Sequence, residues 1–137
     1  MASFESVLEF VARIKGNSRP FSIVVINAAV VTKKGFVTTD DLDEMTQVNF
    51  LSNVLLLERL IASQSIQSNR PGVAPRIVVV SSEAHRWSEQ IDLDSLGAPR
   101  SYTMKKAMAE YSDTKFLMAA YTARLARKHP ELSVLAH

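Results

Sequence analysis

Residues 76–82 read RIVVVSS, and this stretch is the strongest indication of the fold. Residues 77–80 are four consecutive β-branched residues, the type that favours a strand. Because apolar and polar residues do not alternate in this run, it is typical of a strand in a parallel sheet that is covered on both faces. Ligands of open parallel sheets bind beyond the carboxyl ends of the strands. The stretch therefore predicts a buried strand that delivers Ser81 and Ser82 to a binding site.

The segments on either side of this strand repeat an alternation of helix and strand. Residues 21–26, FSIVVI, and residues 133–136, SVLA, predict two further strands. Apolar residues at helical spacing predict a helix over residues 3–15 that stops at Gly16 and Asn17. Further helices are predicted from the capping residues 38–41 to about Ser63 and over residues 103–128. About three strands alternating with three helices predict an α/β fold with a parallel sheet.

Composition excludes several classes of protein. The chain has 137 residues, which allows one domain, and its 47% hydrophobic and 22% charged residues are ordinary for a globular protein. The formal net charge of +2 is spread along the chain, so we expect no nucleic-acid partner. The chain has no cysteine and only three scattered histidines, so we expect no metal site. Without a signal peptide or membrane-spanning run, the expected location is the cytoplasm.

Two tyrosine–lysine pairs have the spacing of one helical turn. Tyr111 lies four residues before Lys115, and Tyr102 lies four residues before Lys106. Residues at this spacing share a helix face, and an ammonium beside a phenol favours the phenolate, which can then exchange protons near neutral pH. Spacing alone occurs by chance, and a solvated helix face is the simpler interpretation of either pair. We favour Tyr111 because Tyr102 lies in a polar segment that predicts a surface turn.

Two asparagines add to the pattern. Asn27 follows the first strand and precedes Ala28 and Ala29, small residues that allow a ligand to approach the backbone. Asn49 lies in the interior of the second predicted helix, where asparagine has a poor propensity, so its side chain is expected to form hydrogen bonds.

Together these motifs resemble the short-chain dehydrogenase/reductase family. Residues 27–29 resemble its Asn-Asn-Ala-Gly element, residues 48–50 its helix asparagine motif, residues 80–85 its catalytic serine strand, and residues 111–115 its Tyr-x-x-Ser-Lys helix with Thr114 for serine. Tyr111 follows Ser82 by 29 positions, a separation similar to that of the retinol-dehydrogenase-like branch. The resemblance implies a partial Rossmann-like, doubly wound parallel sheet, the central-to-C-terminal part of the family fold.

The resemblance also implies roles for individual residues. Tyr111 would exchange a proton with the substrate oxygen, and Lys115 would support it and bind the nicotinamide ribose. Ser82 would polarise the carbonyl, Asn49 would hold a backbone kink and a water, and Asn27 would lie along the adenosine. The implied activity is an NAD(P)-dependent oxidoreductase that reduces a carbonyl or oxidises an alcohol, with NADP slightly preferred over NAD.

The family's glycine-rich grip on the dinucleotide is absent from the sequence. The four glycines, at positions 16, 35, 72 and 97, do not form a G-x-x-x-G-x-G motif. The resemblance thus predicts a single partial domain over residues 1–137, truncated at both ends, without the N-terminal glycine-rich βαβ unit and the C-terminal strands. We expect this chain alone to be inactive, to bind the dinucleotide poorly if at all, and to be poorly soluble, because its first strand has an open edge.

Three interpretations of function remain open at this point: an oxidoreductase, a non-catalytic interaction module, and one part of a split enzyme that a separately encoded first half complements. The first is the oxidoreductase, whose long loop over residues 83–100 with Trp87 suggests a small hydrophobic carbonyl or alcohol, a lipid or a secondary metabolite. The second is a non-catalytic interaction or dimerisation module, in which the open strand edge pairs with another chain as a homo- or hetero-oligomer.

Overall fold

The computed structural model describes residues 1–15 and 19–137. Helices and strands alternate along the chain, as the sequence predicts, and the predicted end of the first helix at Gly16 and Asn17 lies outside the described residues. A π-helical segment joins α2 to α3, and a 3-10 helix follows β2. In chain order the elements are α1 (Phe4–Lys15), β1 (Ile23–Ile26), α2 (Glu44–Thr46), the π-helical segment (Gln47–Leu51), α3 (Ser52–Ala62), β2 (Arg76–Val79), the 3-10 helix (Glu83–Trp87), α4 (Met104–Lys128) and β3 (Ser133–Ala136).

The three strands form one parallel sheet in the order β1-β2-β3. Ile26 pairs with Val79, and Val79 pairs with Ala136, so the carboxyl ends of all three strands lie at the same edge. This arrangement confirms the predicted α/β fold with a parallel sheet. It also brings the residues that follow β1 and β2 to a common edge, which is where ligands of such sheets bind.

One face of the sheet carries the hydrophobic core. Residues paired across a parallel sheet point to the same side, and the row Val24, Ile77 and Val134 lies on the side that the helices cover. The helices contribute one apolar stripe each to this layer. The buried residues of the core are Val11, Ile14, Ile26, Leu57, Leu60, Ile66, Ile77, Val79, Met118 and Leu125.

The opposite face of the sheet is open, which corrects the prediction of strands buried on both sides. Ile23 and Val25 are 60% and 57% exposed, and Leu135 in β3 is 49% exposed. The physical reason is that the core residues of α1, α3 and α4 all meet the same side of the sheet. A non-alternating apolar run therefore identified the strands correctly and their surroundings incorrectly.

The helix that begins at Glu44 differs from the prediction in two details. Its N-cap is Asp43, whose side chain accepts a hydrogen bond from the Thr46 N–H, whereas the predicted capping residues 38–41 lie in the preceding turns. The helix also changes register at the π-helical segment, where the Ser52 N–H bonds the Gln47 carbonyl five residues earlier. Such π turns occur frequently at functional sites, and Asn49 lies in the middle of this one.

Candidate active site

Lys115 connects α4 to the carboxyl end of β2. Its side chain is buried, and its Nζ donates a hydrogen bond to the Val80 carbonyl at 3.1 Å. The same Nζ lies 5.7 Å from the centre of the Tyr111 ring, as expected for residues one helical turn apart. Burial lowers the pKa of the Lys115 ammonium. The Tyr111–Lys115 turn is therefore anchored to the main chain two residues before Ser82.

Ser82 begins the 3-10 helix that follows β2. Its Oγ accepts a hydrogen bond from the Ala84 N–H at 3.2 Å, which caps the short helix. The Ser82 carbonyl accepts from the ring of His85, through Nδ1, at 2.5 Å. These contacts hold the serine backbone in an extended conformation, and the hydroxyl proton can still be donated to a ligand.

Asn49 forms hydrogen bonds with the loop that follows β1. Its Oδ1 accepts from the Val30 N–H at 2.8 Å, and its Nδ2 donates to the Val30 carbonyl at 2.9 Å and to the Thr114 Oγ1 at 3.3 Å. The hydrogen bonds expected for this helical asparagine are therefore present. These three hydrogen bonds reach the loop and α4, and none of the three is to Lys115.

Thr114, to which the sequence assigned a place in the Tyr-x-x-Ser-Lys motif but no role, links Asn49 to Tyr111. Its Oγ1 donates to the Tyr111 carbonyl at 2.8 Å, and the residue is buried. Asp113, on the same turn, accepts a hydrogen bond from the Ser88 hydroxyl at 2.7 Å, which fixes the loop after the 3-10 helix. The position of both residues between Tyr111 and Lys115 was the signal that could have identified them.

The predicted site residues are thus connected to different degrees. Asn49 reaches the Tyr111 carbonyl through the Thr114 hydroxyl, whereas Lys115 bonds the Val80 carbonyl at the strand end that precedes Ser82. Asn27 lies directly after β1 and is exposed. Trp87 closes the 3-10 helix with a side chain that is 65% exposed.

The second tyrosine–lysine pair belongs to a different cluster. The Tyr102 hydroxyl donates a hydrogen bond to Asp43 at the N-terminus of α2, which corrects the prediction of a surface turn. Burial and the Asp43 carboxylate raise the pKa of Tyr102 far above its usual range. Lys106 is exposed and takes no part in this contact. Tyr102 therefore serves as a structural donor.

Glu110 completes this cluster on α4. Its carboxylate accepts from the Thr46 hydroxyl at 3.0 Å and pairs with Arg100 at 3.2 Å. The pKa of Glu110 is raised, mainly by burial. Next to it, Gly35 packs so closely against the Arg100 carbonyl that a side chain at position 35 would overlap it. The loop before α4 is therefore fixed from two sides.

Within residues 1–15 and 19–137, histidine and acidic side chains form no group that could hold a metal ion. None of the helices in this part of the chain is both long and apolar enough to cross a membrane.

No established family profile matches the chain, but individual proteins do. It is 29% identical over 127 residues to the human polyprenol dehydrogenase, a match that covers 93% of this chain and 37% of that protein. It is 34% identical over 133 residues to the WW domain-containing oxidoreductase of Gallus gallus, covering 93% of this chain and 31% of that protein. The chain thus spans about a third of the length of these curated relatives.

Solved structures show a similar fold. An uncharacterized protein from Mycobacterium paratuberculosis superimposes with a TM-score of 0.76 at 25% identity, over 98% of this chain and 46% of that one. A short chain dehydrogenase from Burkholderia cenocepacia, solved in complex with NADP, superimposes with a TM-score of 0.62 at 20% identity, over 98% and 48%. Among these proteins, the two curated relatives are named as a dehydrogenase and an oxidoreductase, and the Burkholderia cenocepacia neighbour is named as a short chain dehydrogenase.

Proposed function

We propose that this chain is a member of the short-chain dehydrogenase/reductase family, of its retinol-dehydrogenase-like branch, and that it carries the proton-transfer side of an NAD(P)-dependent oxidoreductase site. Tyr111 is the acid/base, Lys115 supports it, Ser82 orients the substrate oxygen and Asn49 holds the arrangement together. Asn27 lies on the adenosine side of the cofactor. NADP is the slightly favoured dinucleotide.

The observation that carries the proposal is the contact of the Lys115 Nζ with the Val80 carbonyl at 3.1 Å. This contact ties the tyrosine-bearing turn of α4 to the strand end that precedes Ser82. A developing oxyanion needs donors that are already in place, and Tyr111 and Ser82 are hydroxyl donors on elements held together by this bond. The chemistry requires such a fixed pair, since a shift of about 1 Å can cost a factor of about 100 in rate.

Each residue then has a defined task. Tyr111 passes its hydroxyl proton to a carbonyl oxygen, or takes one from an alcohol. Lys115, buried beside the ring, supports Tyr111, and Ser82 donates to the same substrate oxygen. Asn49 acts at a distance, because its side chain holds Val30 and Thr114. The nicotinamide, when bound, supplies or accepts the hydride.

The residues present fit the nicotinamide side of the cofactor better than its pyrophosphate. Lys115 offers a buried ammonium, and the small residues 28–29 beside Asn27 are exposed at the strand ends. A glycine-rich turn, which would hold the pyrophosphate at a helix N-terminus, is absent from the sequence. On this proposal residues 1–137 are one partial domain, and the pyrophosphate grip lies outside them.

The proposed substrate is a small hydrophobic carbonyl or alcohol. Trp87, whose indole is exposed, is the last residue of the 3-10 helix that Ser82 caps, and an exposed aromatic ring at a site edge suits an apolar ligand. The human relative named for polyprenol, an apolar alcohol, is consistent with a lipid substrate.

A titration with reduced nicotinamide mononucleotide tests the proposal on the whole chain. We expect weak binding, with Kd on the order of 1 mM, and NMR shifts centred on Tyr111, Lys115 and Ser82. Lys115→Met should abolish these shifts, whereas Lys106→Met, the matched control at the second pair, should preserve them. NADPH should bind no more tightly than the mononucleotide, since the pyrophosphate has no grip. Shifts at other residues, or none at millimolar concentration, would rule the proposal out.

The exposed side of the sheet favours a second candidate function, a non-catalytic dimerisation module. β1 is an edge strand of the described chain, and its residues Ile23 and Val25 are more than half exposed. An unprotected apolar edge is a template for pairing with another strand. Light scattering should then detect self-association that Val25→Lys abolishes, with Glu9→Lys on α1 as the control. A monomer at all concentrations would exclude self-association through this edge.

A further inference from the structure

Asn53, on the first turn of α3, is a buried amide that the proposed reaction does not use. It is only 3% exposed, although asparagine is a poor helix former and a costly residue to bury. A buried amide is tolerated when its hydrogen bonds are satisfied. The two acceptors of this one are main-chain carbonyls of the π-helical segment.

The Nδ2 of Asn53 donates to the Val48 carbonyl at 3.1 Å and to the Asn49 carbonyl at 3.2 Å. An amide nitrogen carries two protons, so these two carbonyls use its full donor capacity. Both carbonyls belong to the segment in which the helix changes from α to π hydrogen bonding. A change of register disturbs the regular pairing of carbonyls with N–H groups, and a side-chain donor can satisfy them.

The backbone that Asn53 holds determines where Asn49 points. Every polar group of the Asn49 side chain is engaged, with both main-chain groups of Val30 and with the Thr114 hydroxyl. The side chain makes these bonds to a loop and to α4 from the middle of the π-helical segment. Thr114 in turn donates to the Tyr111 carbonyl. Asn53 thus stands at the start of a continuous series of contacts that ends at the proposed acid/base.

We infer that Asn53 is a positioning residue, which fixes the π turn by donating to the Val48 and Asn49 carbonyls and so aims the Asn49 side chain at Val30 and Thr114. The inference rests on the proposed function for its consequence at Tyr111. The contacts themselves do not depend on it.

Hydrogen exchange of the Val30 amide is the direct readout, because that N–H bonds the Asn49 Oδ1. In the whole chain, Asn53→Asp keeps the shape and removes both donors, and Asn53→Leu replaces the amide by an apolar group of similar size. Either substitution should speed the exchange of Val30 by about tenfold relative to Ile77 in the core, the equivalent of one lost hydrogen bond.

The matched control is Leu57→Ala, which opens a cavity one turn further along α3 and touches none of these polar groups. It should speed the exchange of Val30 and Ile77 by the same factor, because it lowers the stability of the whole domain. Asn53 variants in which Val30 and Ile77 respond in step would overturn the inference and reduce Asn53 to a packing residue. A selective response of Val30 in a chain that does not bind the mononucleotide would sustain the positioning contacts and reject the proposed function.

Discussion

The two tyrosine–lysine pairs have the same spacing and different surroundings. Lys115 is buried and bonded to the end of β2, beside Tyr111. In the other pair, Lys106 is exposed, and the Tyr102 hydroxyl is committed to Asp43, 59 residues away in sequence. The i,i+4 spacing therefore only places the tyrosine and the lysine on the same helix face. The partners that other elements bring to it decide whether the phenol is available for chemistry or serves as a structural hydrogen bond.

The largest effect is expected where the structural pair is anchored. Asp43 is fully buried, caps α2 and accepts from both Thr46 and Tyr102. Asp43→Ala removes the cap and leaves buried donors without an acceptor, so the free energy of unfolding should fall by about 3 kcal/mol. Urea denaturation measures the change, and Glu9→Ala, on the exposed side of α1, should have almost none. A loss below that of an ordinary surface substitution would show that Asp43 does not anchor Tyr102.

The two phenol hydroxyls should differ in their contribution to stability. Tyr102→Phe removes a hydrogen bond to a buried carboxylate and should cost about 1–2 kcal/mol, while Tyr111→Phe should change stability by less than about 0.5 kcal/mol. Thermal and urea unfolding of the two variants are compared in the same buffer. Equal costs would erase the distinction between a structural and an available tyrosine.

The two lysines should differ in the alkaline range. Burial lowers the pKa of Lys115, so between that lowered value and its usual value the unfolded chain binds more protons than the folded one. Stability contributed by Lys115 therefore rises with pH in this window, and its charge costs stability at neutral pH. Lys115→Met should be neutral or stabilising by about 1 kcal/mol at pH 7 and should lose the rise, unlike Lys106→Met. A destabilised Lys115→Met that keeps the rise would contradict the burial of the ammonium.

The smallest effect concerns Glu110, which adjoins Tyr111 in sequence but belongs to the Tyr102 cluster. Since its pKa is raised, the folded state holds this proton more tightly than the unfolded state. Its contribution to stability is present at acidic pH and is lost as the pH rises through the raised pKa. Unfolding curves of Glu110→Gln between pH 4 and 7 should lack this loss of stability with rising pH. Glu131→Gln, which changes an exposed carboxylate, should retain the loss. An unchanged profile for Glu110→Gln would place the carboxylate in water.

Local patterns in the sequence predicted most of the fold. Apolar spacing predicted the start of α1 and both ends of α4 within a residue or two, and short apolar runs predicted all three strands. The exposed face of the sheet was mispredicted. An apolar run such as residues 23–26 indicates a strand, but it does not indicate which elements cover that strand. The cap was predicted at residues 38–41, although the contact of Asp43 with Thr46 is local, and the π turn was not predicted.

Those parts of the candidate site that depend on local sequence signals were predictable, and those that depend on distant partners were not. Asn49, Tyr111 and Lys115 stand out through spacing and an unfavourable helix propensity, which are local signals. The partner of Tyr102 lies 59 residues away and could not be read from its neighbourhood. Asn53 likewise has meaning only once the register of the helix around it is known.

On the proposed function, Tyr111 and Ser82 face one another across the contact of Lys115 with the Val80 carbonyl. Nuclear Overhauser contacts within the whole chain are the most direct test of this arrangement. We expect contacts between the Tyr111 ring protons and the Ser82 β-protons and, in the same spectrum, contacts between the Tyr102 ring and Asp43. If the Tyr111 ring contacts no proton of Ser82, and the Tyr102 contacts verify that the chain is folded, the two hydroxyls do not share a site and the oxidoreductase proposal is contradicted.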